Sequence, residues 1–335
     1  MASKKRKNPT VTELCKGILA GERAMLARAI TLAESTHAAD RKKIAGVLRK
    51  LMPHTGKSIR LGITGIPGVG KSTFIEAFGD VLTQEGKKIG VLTVDPTSQK
   101  TKGSILGDKT RMERLSRNPN VFIRPSPTGL ALGGVTPHTR EAILLCEAAG
   151  FDVILIETVG VGQSETIVRG MVDFFLLLML TGAGDELQGI KKGIMEMADG
   201  IVITKADGEN KKAAVRARAD ALQALHFQSP APSGWKPRAL TASALDGAGL
   251  KEIWKMILEF ETLTKDTGYF DAARQDQLRQ WLDESLEVHF RTMLTTPDVM
   301  ARKKRLVGEI LRNGLLPTDA ARLLWEEIIA PDEET

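Results

Sequence analysis

The sequence is poor in aromatic residues, which make up 4% of it and include a single Tyr. Proteins that hold nucleic-acid strands by stacking need basic surface interleaved with aromatics, so this scarcity argues against that class. The formal charge of +6 comes from 47 basic and 41 acidic residues, and outside the opening "MASKKRKNP" the two signs are intermixed, as on an ordinary solvated surface. Cysteine is nearly absent: Cys15 and Cys146 stand far apart, without a C-x-x-C partner, which excludes a disulfide framework and a structural zinc site. The five histidines (His37, His54, His138, His226 and His289) are scattered, which argues against a protein that delivers nickel or a similar ion. Long hydrophobic runs are missing too. The most apolar stretch, "FFLLLML" from Phe174 to Leu180, falls far short of the ~20 residues needed to cross a bilayer. The charged opening is followed by no apolar segment of the kind that directs export, so a cytoplasmic location is expected.

What is present is a regular alternation. Between Thr12 and about Leu51, apolar residues such as Leu14, Ile18, Met25, Leu26 and Ile30 recur at helical spacing, and two or three helices are expected. "MPHTGK" then breaks the pattern. Six apolar runs follow, "SIRLGIT", "KIGVLTV", "VFIR", "DVILIET", "DFFLLLML" and "GIVIT", with "PRALTA" as a weaker seventh, nearly all separated by helical stretches. Runs that are continuous rather than alternating suit strands covered on both faces. The expected fold is therefore α/β, a mostly parallel sheet with helices on both sides. After Leu250 the strand pattern ends and helical periodicity continues to "RLLWEEII". The expected divisions are a disordered basic tail (1–10), a helical segment (11–54), a core domain (55–265) and a helical arm (266–335).

"GIPGVGKS", Gly65 to Ser72, fits G-x-x-x-x-G-K-[ST] in full, after a strand run and before a helical one. In such a loop Gly65, Gly68 and Gly70 let the backbone curl around phosphate oxygens, and Ile66, Pro67, Val69 and Thr73 complete the cradle. Lys71 is placed to reach the β- and γ-phosphates and Ser72 to offer its hydroxyl to Mg2+. A metal shell there needs an acid as well. Glu157, ending "DVILIE", is the first candidate, with the Gly160 amide positioned for the γ-phosphate; Asp95 and Asp108 are two further candidates for the metal. Gln163, three residues beyond Gly160, is a candidate for orienting water.

"IVITKAD", residues 201–207, stands one letter from the N-K-x-D pattern that reads guanine. The carboxylate of Asp207 can accept from the ring N–H and the exocyclic amine of guanine, an edge on which adenine has no amine. The stem of Lys205 can lie across the ring. Thr204, in place of Asn, retains part of the usual amide's bridging. "TASAL", with Ser243, Ala244 and Leu245, supplies a second base-contacting loop.

At this point the chain resembles a known family. "GIPGVGKST", "VDPTS", "GSILGDKTRM", "FIRPSP", "LLCEAAGFDVILIETVGVGQSE", "GAGDELQGIKKGI" and "TKAD" are similar to the MeaB/ArgK-type GTPases of the SIMIBI class of P-loop proteins, chaperones of adenosylcobalamin-dependent methylmalonyl-CoA mutase. The resemblance covers roughly residues 12 to 265. It implies GTP and Mg2+ as ligands, with Lys71 and Ser72 on phosphate and metal, Asp95, Asp108 and Glu157 serving the metal and switch regions, and Lys205 and Asp207 on guanine. It further implies a switch segment read by the mutase, with Gln188 and Lys191 as its candidates, and a C-terminal dimerisation arm. The expected activity is slow GTP hydrolysis stimulated by the partner. A kinase transferring the γ-phosphoryl group to a small molecule or protein is the alternative, because a phosphate loop does not specify its acceptor.

Overall fold

The computed structural model describes residues 8–94, 112–126, 136–158, 164–182, 192–226 and 231–329. Three helices precede the sheet: α1 (Val11–Leu19), α2 (Arg23–Ala33) and α3 (Ala38–Leu51). The first begins at a reciprocal cap, in which the Glu13 amide donates to the Thr10 hydroxyl at 3.2 Å and the Thr10 amide to the Glu13 carboxylate at 2.6 Å.

Each of the seven apolar runs forms a strand. In chain order β1 (Ile59–Gly65) is followed by α4 (Lys71–Gln84), β2 (Ile89–Val94), α5 (Glu113–Arg117), β3 (Val121–Ser126), α6 (Thr136–Ala148) and β4 (Val153–Thr158). Then come α7 (Ser164–Arg169), β5 (Phe174–Met179), α8 (Lys192–Met197), β6 (Gly200–Ile203), α9 (Lys211–His226), β7 (Arg238–Thr241), α10 (Leu250–Asp266), α11 (Tyr269–Met293), α12 (Pro297–Asn313) and α13 (Pro317–Ile329). The sheet has the order β3-β2-β4-β1-β5-β6-β7, and every described pairing is parallel. All strand carboxyl ends therefore open on one edge, where sheets of this type gather their ligand loops.

Alternation along the strands divides the core. Ile59, Leu61 and Ile63 of β1 pack with Phe74 and Phe78 of α4 and with Ile253, Trp254 and Ile257 of α10. Ile154 and Ile156 of β4 lie in the cluster holding Leu14, Ile18, Leu26 and Ile30 of the N-terminal helices. Both faces are covered, which is why the strand runs read as unbroken apolar segments.

At the opposite edge, around the strand amino ends, charged groups are buried in pairs. Arg274 of α11 donates through Nε and one terminal nitrogen to the two oxygens of Asp173, at 2.8 and 2.7 Å, and to the Gly56 and Ser58 carbonyls at 2.7 and 2.6 Å. Arg60 of β1 pairs with Glu147 at 2.9 Å, and that carboxylate also accepts from the Ser58 hydroxyl and the Gly56 amide. These donors, with the Arg60 charge foremost, hold Glu147 below the usual carboxylate range against the opposing effect of burial.

The chain forms two compact units, Met1–Leu278 and Arg279–Thr335, with the boundary inside α11. Within the second, the Phe290 and Trp325 rings lie 6.2 Å apart, Arg305 pairs with Glu327, and Arg302 donates to the Glu327 carbonyl at 2.7 Å. Leu282, Leu286, Phe290, Leu311 and Leu316 are exposed in that unit. No helix among the described residues is long and apolar enough to cross a membrane.

Candidate functional site

The loop joining β1 to α4 is shaped by glycine. Gly65 has φ 153° and a side chain there would meet the Leu178 carbonyl at 2.5 Å, so only glycine lets β1 run flush with β5 at this point. Gly70 takes the left-handed conformation, φ 93°, immediately before α4, a conformation that costs other residues free energy. Val69 is fully buried and plugs the loop into the core beneath it. Lys71 donates to the Gly65 and Ile66 carbonyls at 2.7 and 3.3 Å. Burial pushes its ammonium below the ordinary lysine value, while the carboxylates of Glu157 and Glu165 oppose that shift.

Glu157 lies on β4 beside β1, where the register pairs it with Ile63. The Ser72 hydroxyl donates to its Oε1 at 3.1 Å, and the carboxylate is almost wholly buried. A hydroxyl and a carboxylate held together beside a phosphate loop form an oxygen-only donor pair. Mg2+ prefers such ligands, and it usually takes few from protein and completes its shell with phosphate and water. Among the described residues no group of three or more His, Cys, Asp and Glu side chains is arranged to hold a metal, so an ion here would depend on that completion.

The loop after β6 lies across from the phosphate loop. Thr204 is buried, and its hydroxyl lies 2.8 Å from the Val69 carbonyl and 3.2 Å from that of Met179. With a single hydrogen to give, it donates mainly to the nearer. Lys205 adopts φ 55°, the one positive value found at a non-glycine residue among the described positions. Asn210 supports this turn by donating from Nδ2 to the Lys205 carbonyl at 2.6 Å and accepting from the Thr181 hydroxyl at 2.8 Å. The Asp207 carboxylate accepts from the Ser243 hydroxyl at 2.8 Å, and Ser243 itself is fully buried in the loop after β7. The two loops are also joined through their backbones by the Ala206 amide and the Ala242 carbonyl at 3.1 Å.

Between these loops lies a cavity of about 190 Å3 whose walls include Gly70, Phe74, Thr204, Lys205, Asp207 and Leu245. Its apolar wall suits the face of a flat ring, and Asp207 supplies an acceptor at one edge. Thus Gly65 to Thr73, Glu157, Lys205, Asp207, Ser243, Ala244 and Leu245 gather at the carboxyl edge of one sheet. Asp95, Asp108, Gly160, Gln163, Gln188 and Lys191 lie outside the described residues. Sequence reasoning did not single out Asn210, Thr64 or Thr158. The "DGEN" turn after "TKA" was the available signal for the first, and the two threonines had none.

Known proteins resemble the chain over most of its length. The family model described as methylmalonyl Co-A mutase-associated GTPase MeaB matches residues 26–296. GTPase ArgK of Escherichia coli (strain K12) is 46% identical over 320 residues, spanning 95% of this chain and 97% of its own. The mitochondrial methylmalonic aciduria type A homolog of Mus musculus is 45% identical over 328 residues, 94% of this chain and 78% of its own. The crystal structure of an LAO/AO transport system kinase superposes with a TM-score of 0.75 at 39% identity, covering 98% of this chain and all of that one.

Proposed function

The chain belongs to the MeaB family of methylmalonyl-CoA mutase-associated GTPases, and from that premise we propose that it is a Mg2+-dependent switch whose nucleotide state governs the loading or protection of a mutase's adenosylcobalamin. The observation that carries the guanine reading is the Ser243–Asp207 hydrogen bond beside the cavity that Gly70 also lines. A buried hydroxyl fixes one carboxylate oxygen, so that the carboxylate meets the ring with a set orientation and at little entropic cost.

In this reading Lys71 exchanges the Gly65 and Ile66 carbonyls for the β- and γ-phosphate oxygens. Ser72 and Glu157, with Asp95 and Asp108, serve the metal and its waters. The ion, when bound, neutralises charge that develops on the transferring phosphoryl group. The Gly160 amide is assigned to the γ-phosphate, Gln163 to the attacking water, and Gln188 and Lys191 to the segment through which the mutase would accelerate hydrolysis. The family's association with a mutase supports that last role. The exposed Leu282, Leu286 and Phe290 of the 279–335 unit support a homodimer formed through the helical arm that begins near residue 266. A cytoplasmic setting suits the two free, buried cysteines.

Single-turnover GTP hydrolysis, measured with and without an adenosylcobalamin-dependent mutase, tests the switch. The expected result is a slow basal rate raised by the partner, together with nucleotide-dependent co-elution of the two proteins. Equal rates and no co-elution would remove the switch. The name of the solved transport system kinase favours the second reading, phosphoryl transfer to another acceptor. γ-Labelled GTP separates the two readings, because a switch releases all the label as inorganic phosphate.

A further inference from the structure

Resting on the reading of Glu157 as the metal acid, one feature of the sheet bears on how that acid is placed. The ladder between β1 and β4 pairs residues as far as Ile63 and Glu157. Beyond that point β1 stays paired with β5, to Gly65 and Leu178, and β4 with β2, to Thr158 and Val94. The two central strands thus cease to pair with each other where one delivers the phosphate loop and the other delivers Glu157. One residue further on, Thr158 donates its hydroxyl to that of Thr64 at 2.8 Å, and both side chains are fully buried. Since successive side chains point to opposite faces, the threonine pair lies on the face opposite Glu157 and makes no use of the Ser72 contact.

A buried pair of hydroxyls adds little net stability: replacing both partners by apolar groups of the same shape is close to neutral. A pair of valines would pack as well between strands already rich in valine and isoleucine. What valines would lose is a directional tie between two strand ends at the point where their ladder stops. We infer that the Thr158–Thr64 hydrogen bond is a clasp that sets the distance of Glu157 from the phosphate loop, making the two threonines positioning residues for the metal-assisted hydrolysis of GTP.

The test compares wild-type protein with Thr158→Val, Thr158→Ser, the double variant Thr64→Val/Thr158→Val, and Glu157→Gln. GDP affinity is measured by titration with Mg2+ and with excess EDTA, alongside the thermal midpoint of nucleotide-free protein. If the clasp acts as inferred, both valine variants lose about fivefold of the Mg2+-dependent gain in affinity, the equivalent of one ordinary hydrogen bond. Their EDTA affinities stay near wild type, the double variant keeps the wild-type midpoint, and Thr158→Ser restores the gain. An unchanged Mg2+ dependence in the double variant overturns the clasp, as does a loss that serine fails to restore. Glu157→Gln separates the two layers of the argument: if it too leaves the Mg2+ dependence intact, the assignment of Glu157 to the metal fails. If Glu157→Gln abolishes the dependence while the valines leave it untouched, the clasp alone fails.

Discussion

The hydroxyl of Thr204 lies 2.8 Å from the carbonyl of Val69, tying the loop after β6 to the loop between β1 and α4 across 135 positions of sequence. Where related base-reading motifs carry Asn, a shorter side chain here keeps one of the two contacts an amide could make. It holds the loop between β1 and α4 and, with its single hydrogen spent, would have none to give to a base in the proposed site.

Thr204→Val keeps shape and removes that hydrogen, so a buried carbonyl loses its donor. GDP affinity should fall by roughly fivefold to tenfold, from a cost on the order of 1 kcal/mol. Thr204→Asn offers one amide hydrogen to Val69 and a second to the cavity, and should bind GDP more tightly than wild type, with ATP bound poorly by both. Calorimetric titration of the purified variants with GDP and ATP decides both outcomes.

Asp207→Asn exchanges an acceptor for a group that presents a donor and an acceptor. The variant should lose at least ~100-fold in GDP affinity, because a site built to pair a particular base edge rejects a mismatch strongly. It should gain for xanthosine diphosphate, whose 2-oxo group replaces the amine of guanine. Ser243→Ala leaves Asp207 in place but unoriented, and a smaller loss without the change of preference is expected. Competition between the two nucleotides reads out both variants.

Asp199 is buried in the bend between α8 and β6, and burial raises its carboxyl from 3.8 to about 6 even though Arg169 and the Phe175 amide favour the charged form. A native value above the unfolded one means that the folded protein binds the extra proton between those pH values. Its contribution is fully present below pH ~4 and is lost as pH rises through about 6, by a few kcal/mol at most. Asp199→Asn cannot ionise, so its urea stability should fall less than wild type between pH 5 and 7. Parallel denaturation curves across that range would refute the shift.

Arg274 is the main charge partner of Asp173, whose side chain is 2% exposed. Arg274→Ala strands that buried carboxylate and should cost about 3 kcal/mol or more of unfolding free energy. The pair lies at the strand amino ends, away from the nucleotide loops, so GDP affinity of the folded variant should match wild type. Chemical denaturation and nucleotide titration together distinguish this from damage to the site.

The seven strands were legible because a strand covered on both faces must be apolar throughout, as "VILIE" and "FFLLLM" are. The phosphate loop was legible because its glycines, lysine and serine are local in sequence and its φ values admit few other residues. Strand order was not, since continuous apolar runs carry no information on which run they adjoin. The partners of Arg274 and Thr158 were hidden for the same reason: Asp173 is 101 positions from the first and Thr64 94 from the second. Local patterning reveals elements and turns, whereas a hydrogen bond between distant side chains leaves no periodicity to read.

The link from Ala206 to Ala242, with that from Ser243 to Asp207, has a practical corollary for anyone grafting base preference between proteins of this shape. "TKAD" is half a module. Transplanted without "TASAL" it would arrive with its carboxylate unsteered and one amide unclaimed, so if Asp207 reads the purine as proposed, the smallest portable reader would be two segments on adjacent edge-side strands, moved as a pair.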